Sequence, residues 1–153
     1  IIMKKLFFTI FLIFLNSCGY NPIYLNQEVN FSIDEIITKD KSKISYKIKN
    51  SLGKYINLSN KSSSLEVQIS TKKSIRTTSK DEKGNAKTFE IIIQVELIVS
   101  KESKDYKKEF IESFSYQNKA NKFDLKNCEN DIIDNLSNEI ILDINEYIIQ
   151  LTQ

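Results

Sequence analysis

The side chains able to do chemistry in this 153-residue chain are two cysteines and two oppositely charged stretches, because the chain contains no histidine. Without an imidazole, Ser-His-Asp and Cys-His catalysis are excluded and the commonest metal ligand is missing. We therefore predict no enzymatic activity, no cofactor and no metal site. Cys128 is expected near the start of a helix as a small, half-buried apolar residue without a function of its own.

Cys18 follows a segment typical of an export signal. Residues 3–5 (Met-Lys-Lys) give a positive start, and the apolar run Leu6–Leu15 is too short to span a bilayer as a helix. Residues 15–18 (Leu-Asn-Ser-Cys) resemble a bacterial lipobox, in which the cysteine thiol receives diacylglycerol and the amine exposed by cleavage is acylated. Several acyl chains, at about 0.8 kcal/mol per buried CH₂, anchor such a protein firmly.

These observations predict a signal peptide over residues 1–17, a lipidated tether over 18–30 and one domain over 31–153. By resemblance to lipoprotein sorting, Gly19 after the cysteine favours the outer membrane, with the domain facing the periplasm. Two alternatives remain for this region. The apolar run could be a buried helix of the fold, and Cys18 could form a disulfide with Cys128 in an oxidising compartment.

Charge is distributed unevenly along the mature chain. Removal of residues 1–17 takes two lysines with it and leaves 20 basic and 20 acidic side chains, which argues against nucleic-acid binding. Residues 72–87 carry six basic and two acidic side chains, whereas residues 124–153 carry one and seven. The basic stretch suits a phosphate-bearing ligand, and a solvated strand face is the equally weighted alternative. The acidic stretch is expected to be solvated.

The elements that carry these charges follow from hydrophobic periodicity. Alternation predicts a strand at Phe31–Ile37 and three more strands, which begin near residues 65, 89 and 106. A helix is expected from Asp40 or Ser42 to about Ile56, and a long one over about Leu125–Leu151, where apolar residues recur every four positions. Residues 83–85 (Lys-Gly-Asn) are a plausible hairpin tip. The predicted fold is α+β, with two helices on one face of a four-stranded, mostly antiparallel sheet in the order β-α-β-β-β-α.

With these elements placed, the chain resembles the lipopolysaccharide-assembly lipoprotein family, LptE. Residues 18–24 (Cys-Gly-Tyr-Asn-Pro-Ile-Tyr) resemble the Cys-Gly-aromatic-x-Pro-Leu-Tyr opening of many members. The long hairpin with Gly84 at its tip, the aromatic-rich strand at residues 110–116 and the acidic-apolar residues 130–133 at the start of the last helix fit the remainder. The resemblance covers nearly the whole mature chain and keeps the order of the elements.

The resemblance implies a non-enzymatic plug and assembly partner of the outer-membrane β-barrel LptD, which takes part in delivering lipopolysaccharide to the outer leaflet. In the family, a basic residue at the hairpin tip and a lysine just before the last helix are implicated in contacting lipopolysaccharide. Lys126 falls where the second is expected, and Glu82 falls nearest the first, with Lys80 and Lys83 as its basic neighbours. The alternative is a free-standing periplasmic lipoprotein that binds lipid or anchors the envelope.

Overall fold

The computed structural model describes residues 29–153, so the predicted signal peptide, Cys18 and all but the end of the predicted tether lie outside it. The predicted order of elements is confirmed. The chain forms β1 (Phe31–Thr38), α1 (Lys43–Leu52), a 3-10 turn (Gly53–Tyr55), β2 (Ser63–Lys80), β3 (Ala86–Lys101), β4 (Lys104–Gln117) and α2 (Lys122–Leu151).

The four strands form one sheet in the order β1-β2-β3-β4. The first pair is parallel, with Phe31 opposite Ser63, because α1 carries the chain back across the sheet before β2 begins. The other two pairs are antiparallel and continuous in sequence, so each is a hairpin. The sheet is therefore mixed but mostly antiparallel, and the α+β class predicted from the sequence is confirmed.

Both helices pack on one face of the sheet, where they cover the alternating apolar residues of the strands. Ile93, Val95 and Leu97 of β3 are fully buried, while the residues between them lie half-buried on the other face. From α2, Ile140, Ile144 and Ile148 are fully buried against the sheet. Each such side chain contributes about 1.5–3 kcal/mol through its removal from water. The four-residue recurrence in the sequence correctly identified this buried stripe.

A carboxylate network fixes the start of α1. Ser42 is the N-cap, and its Oγ accepts a 3.0 Å hydrogen bond from the Ser45 N–H. The Asp40 carboxylate accepts hydrogen bonds from the N–H groups of Ser42 (2.9 Å) and Thr71 (2.7 Å) and from the Ser45 hydroxyl. Burial by itself would raise the pKa of Asp40, but these hydrogen bonds outweigh it and hold that pKa well below its ordinary value. The network joins α1 to β2.

Helix boundaries differ from the prediction at both helices. The first helix ends at Leu52 rather than near Ile56, because the chain tightens into the 3-10 turn at Gly53–Tyr55. The last helix begins at Lys122 rather than Leu125, because the Asn121 side chain accepts hydrogen bonds from the N–H groups of Phe123 (2.9 Å) and Asp124 (3.4 Å). An effective N-cap thus adds residues that lie outside the apolar stripe.

The molecule has two distinct ends along the strands. One end holds the start of β1, the β3–β4 turn and the C-terminus of α2, where the Lys101 ammonium reaches the Leu151 carbonyl at 3.5 Å. The other end holds the β2–β3 turn and the start of α2. The 16 residues of β3 separate the two ends by about 50 Å at roughly 3.3 Å per residue. Every residue of β2 from Lys72 onward is exposed, so the hairpin extends beyond α1.

Candidate functional site

The turn at the tip of the β2–β3 hairpin is built around one carboxylate. Asp81 accepts hydrogen bonds from the N–H groups of Lys83 (2.9 Å) and Asn85 (2.8 Å) and from the Asn85 side-chain amide (3.0 Å). The Asn85 hydrogen bonds, aided by that of Lys83, lower the pKa of Asp81. Gly84 has a φ of 82°, a conformation that disfavours other residues. Asp81 is therefore occupied in shaping the loop, and its hydrogen bonds hold the backbone on either side of Lys83.

Lys80 is the last residue of β2 and lies opposite Ala86, while Lys83 lies within the turn itself. Both side chains are exposed to solvent. Neither forms an ion pair with a carboxylate in the part of the chain that the structure describes. The two predicted lysines of the hairpin are therefore available to an anionic ligand.

The loop between β4 and α2 packs directly against this hairpin. The Asn118 N–H donates to the Lys87 carbonyl at 2.9 Å, and its side-chain amide donates to the Ala86 carbonyl at 2.8 Å. These contacts bring Lys119 and Lys122 beside the hairpin, around a depression of about 310 Å³ that Asp81 and Lys87 also line. The loop and the hairpin thus form one surface.

Lys126 lies at the same end of the molecule, inside α2, as the helix predicted over about Leu125–Leu151 has it, whereas the resemblance implied a lysine just before the helix. Residues 130–133, expected at the helix start, lie two turns further along, because α2 begins at Lys122. The Lys126 ammonium lies 3.8 Å from Glu129, one turn away, and the lysine side chain remains mostly exposed. Lys126 is thus partly neutralised, and no contact joins it to Lys80 or Lys83.

We call this surface the lysine-rich end and define it by the six lysines at positions 80, 83, 87, 119, 122 and 126. Against Asp81, Glu82, Asp124 and Glu129, the partner of Lys126, these six lysines leave a net charge of +2. The sequence prediction named three of the six as site residues (Lys80, Lys83 and Lys126), included Lys87 only in the basic stretch over residues 72–87, and missed Lys119 and Lys122. The run Lys119-Ala-Asn-Lys122 was a signal for them, but only the Asn118–Lys87 contact shows that it meets the hairpin.

Arg76 braces the hairpin. Its Nε lies 2.5 Å from the Glu90 carboxylate on β3, across the antiparallel ladder. This ion pair joins the two strands of the hairpin. Arg76 therefore does not belong to the lysine-rich end.

Among residues 29–153, no group of histidine, cysteine, aspartate or glutamate side chains is placed to hold a metal ion. Cys128 lies half-buried in α2 against the core, in the environment expected from the sequence. No helix in the same range is long and apolar enough to cross a membrane.

No protein-family description and no curated protein sequence matches the chain. Solved structures of lipoproteins are among those similar to it. The crystal structure of rare lipoprotein B from Shewanella oneidensis matches with a TM-score of 0.61 at 11% identity, over 80% of this chain and 100% of that one. The solution structure of uncharacterized lipoprotein B from Nitrosomonas europaea matches with a TM-score of 0.55 at 15% identity, over 88% and 93%. The architecture that the resemblance implied is thus confirmed, and this chain has the fold of the lipoprotein B structures.

Proposed function

We propose that this protein is a lipid-anchored outer-membrane lipoprotein of the LptE type, which serves as plug and assembly partner of the LptD β-barrel. The observation that carries the proposal is the shared fold. It extends over most of the chain and matches rare lipoprotein B, which is LptE. The Leu-Asn-Ser-Cys motif at residues 15–18 adds independent support, because the fold neighbours are also lipoproteins.

The lysine-rich end supports a role in handling lipopolysaccharide. Its six lysines come from the hairpin, the β4–α2 loop and the first turns of α2, and they converge on one end of the molecule. Ammonium groups bind phosphates as point charges, without a required geometry, so a loose cluster of lysines suits the phosphates of lipid A and of the inner core. The Asp81 turn and the Asn118 contacts fix the backbone under these side chains.

Purification of the full-length, lipidated protein from its native envelope in mild detergent tests the proposal. We expect a large β-barrel to copurify, and mass spectrometry to identify it as LptD. A Cys18→Ala variant controls for the anchor and is expected to leave the outer-membrane fraction. Repeated recovery of a monomer without any barrel would refute the partnership and favour the free-standing lipoprotein.

A further inference from the structure

The two edges of the sheet are protected very differently. On β1 the ladder is interrupted by a bulge between Ile33 and Glu35, and Ile56 bridges to Ile33 from the outer side, where the Asn57 N–H reaches the Ile33 carbonyl. On β4 the ladder with β3 runs without a shift from Lys104 to Gln117. No strand within residues 29–153 pairs with the outer edge of β4. Such a long regular edge is a template for another strand.

An acidic groove runs beside this open edge, between β4 and the C-terminal half of α2. It has a volume of about 380 Å³ and is lined by Glu112 of β4 and by Asp143 and Glu146 of α2. None of these three carboxylates forms an ion pair with a described residue. The one lysine that lines the groove, Lys108, lies over the aromatic rings of Phe110 and Tyr147.

Exposed apolar side chains lie on both faces of the same strand. Phe114, on the face that carries the helices, is 52% exposed, and Ile111, on the opposite face, is 54% exposed. A strand added along β4 would cover part of both side chains while its backbone paired with the open edge. The edge, the groove and the two apolar residues therefore form one surface, which we call the β4 edge.

We propose that the β4 edge accepts an extended, lysine- or arginine-bearing segment of a partner protein as a fifth strand. Side chains alternate along a strand, so the basic residues of such a segment would face Glu112, Asp143 and Glu146. Apolar residues between them would lie on the opposite face, near Ile111. The acidic lining selects the charge of the segment, and the open ladder selects its extended form.

Charge argues against the two occupants that this chain could itself supply. In a second copy joined edge to edge, the two acidic grooves would face each other, and like charges are unfavourable there. Residues 19–28 contain Glu28 and no lysine or arginine, and they join the fold at β1, across the whole sheet from β4. A basic segment from another protein meets neither objection.

Binding of a synthetic peptide of about nine residues, with alternating lysine and valine, tests this inference on the full-length protein in nonionic detergent. Two matched peptides serve as controls, one with glutamate for lysine and one with an N-methylated backbone. We expect the lysine peptide to bind roughly tenfold or more tightly than either control, measured by fluorescence anisotropy. On binding, the changes in the protein's amide NMR shifts should centre on residues 111–116.

The protein variants Glu112→Lys and Glu146→Lys should each weaken peptide binding by roughly tenfold. Glu35→Lys, the same charge change on the opposite edge strand, should leave binding unchanged. Equal binding of the N-methylated peptide would overturn the proposal, because attraction without strand pairing would then suffice. Shift changes centred on β1, or dimers that depend on Phe114, would also overturn it. The test needs neither a barrel nor lipopolysaccharide, so its result is separate from that of the proposed function.

Discussion

The Tyr116 hydroxyl donates a 2.8 Å hydrogen bond to the Glu129 carboxylate and so joins the last strand to the start of α2. The Tyr116 ring also packs on Phe89 with a centroid separation of 5.6 Å. Through these two contacts the hairpin, β4 and α2 are held together just behind the lysine-rich end. The hydrogen bond has a charged acceptor, the Glu129 carboxylate, and its donor belongs to the buried Tyr116 side chain. Both features strengthen the hydrogen bond.

Tyr116→Phe is expected to lower the free energy of unfolding by about 1.5–3 kcal/mol, because it removes a hydrogen bond to a charged group. Tyr46→Phe changes an exposed tyrosine and should shift it by less than about 0.5 kcal/mol. Urea unfolding at neutral pH measures the effect of both substitutions.

Burial of Tyr116, and then its hydrogen bond to Glu129, raises the pKa of the Tyr116 phenol. Its stabilising effect should therefore be complete below about pH 10 and decline above it.

Asp40→Asn should destabilise the fold by about 1–3 kcal/mol near neutral pH, since an amide cannot accept all of the hydrogen bonds made by the carboxylate. The folded pKa of Asp40 is depressed, so its contribution is present above the unfolded value near 3.8 and is lost as the pH falls below it. Denaturant titrations of both proteins at several pH values should therefore converge in acid. Asp131→Asn, an exposed change, should show no such trend.

Lys83→Glu combined with Lys126→Glu should weaken lipopolysaccharide binding by roughly tenfold or more while leaving the fold intact. Lys61→Glu combined with Lys104→Glu makes the same change of charge at the other end of the strands and should have little effect. Binding should be measured at several salt concentrations, since attraction between exposed charges is screened. Equal affinity of the two double variants for lipopolysaccharide would show that the lysine-rich end is solvated surface without a binding role.

Two turns contain residues with positive φ, where glycine is expected to be more stable than a residue with a side chain. Ser103 in the β3–β4 turn has a φ of 64°, and Glu102 beside it has a φ of 51°. Ser103→Gly should therefore stabilise the protein by up to about 1 kcal/mol, because glycine adopts that conformation without strain. Gly84→Ala should destabilise it by about 1 kcal/mol, although a methyl group there meets no neighbouring atom. Thermal unfolding of both variants checks the signs.

The faces of the elements could be predicted from the sequence because burial imposes a period on it. Alternation from Phe89 to Val99 identified the side of β3 that packs on the helices, and the four-residue recurrence from Ile132 identified that of α2. The pairing of the strands, in contrast, cannot be read from this periodicity. The parallel neighbour of β2 is β1, and nothing in the alternation of Phe31–Ile37 indicates that partner or its direction.

The lysine-rich end was only partly predictable for the same reason. Lys80 and Lys83 share a hairpin, so their proximity follows from local sequence. Lys119 and Lys122 reach them only through the bonds that Asn118 makes to Ala86 and Lys87, 32 and 31 positions earlier. Contacts over such separations leave no periodic signal. Lys126 lies in the second turn of α2 rather than just before the helix, where the resemblance put it, because an N-cap at Asn121 starts α2 earlier than its apolar stripe does.

The length of the strands sets how far the protein can act from its attachment point. A lipid on Cys18 would hold the chain eleven residues before Val29. Fully extended, this part of the tether would span at most about 38 Å. The lysine-rich end lies roughly 50 Å further on, which exceeds the ~30 Å hydrocarbon thickness of a bilayer. If the domain lies inside a barrel, as proposed, it is therefore long enough to bring those lysines level with the head groups on the far side of the membrane.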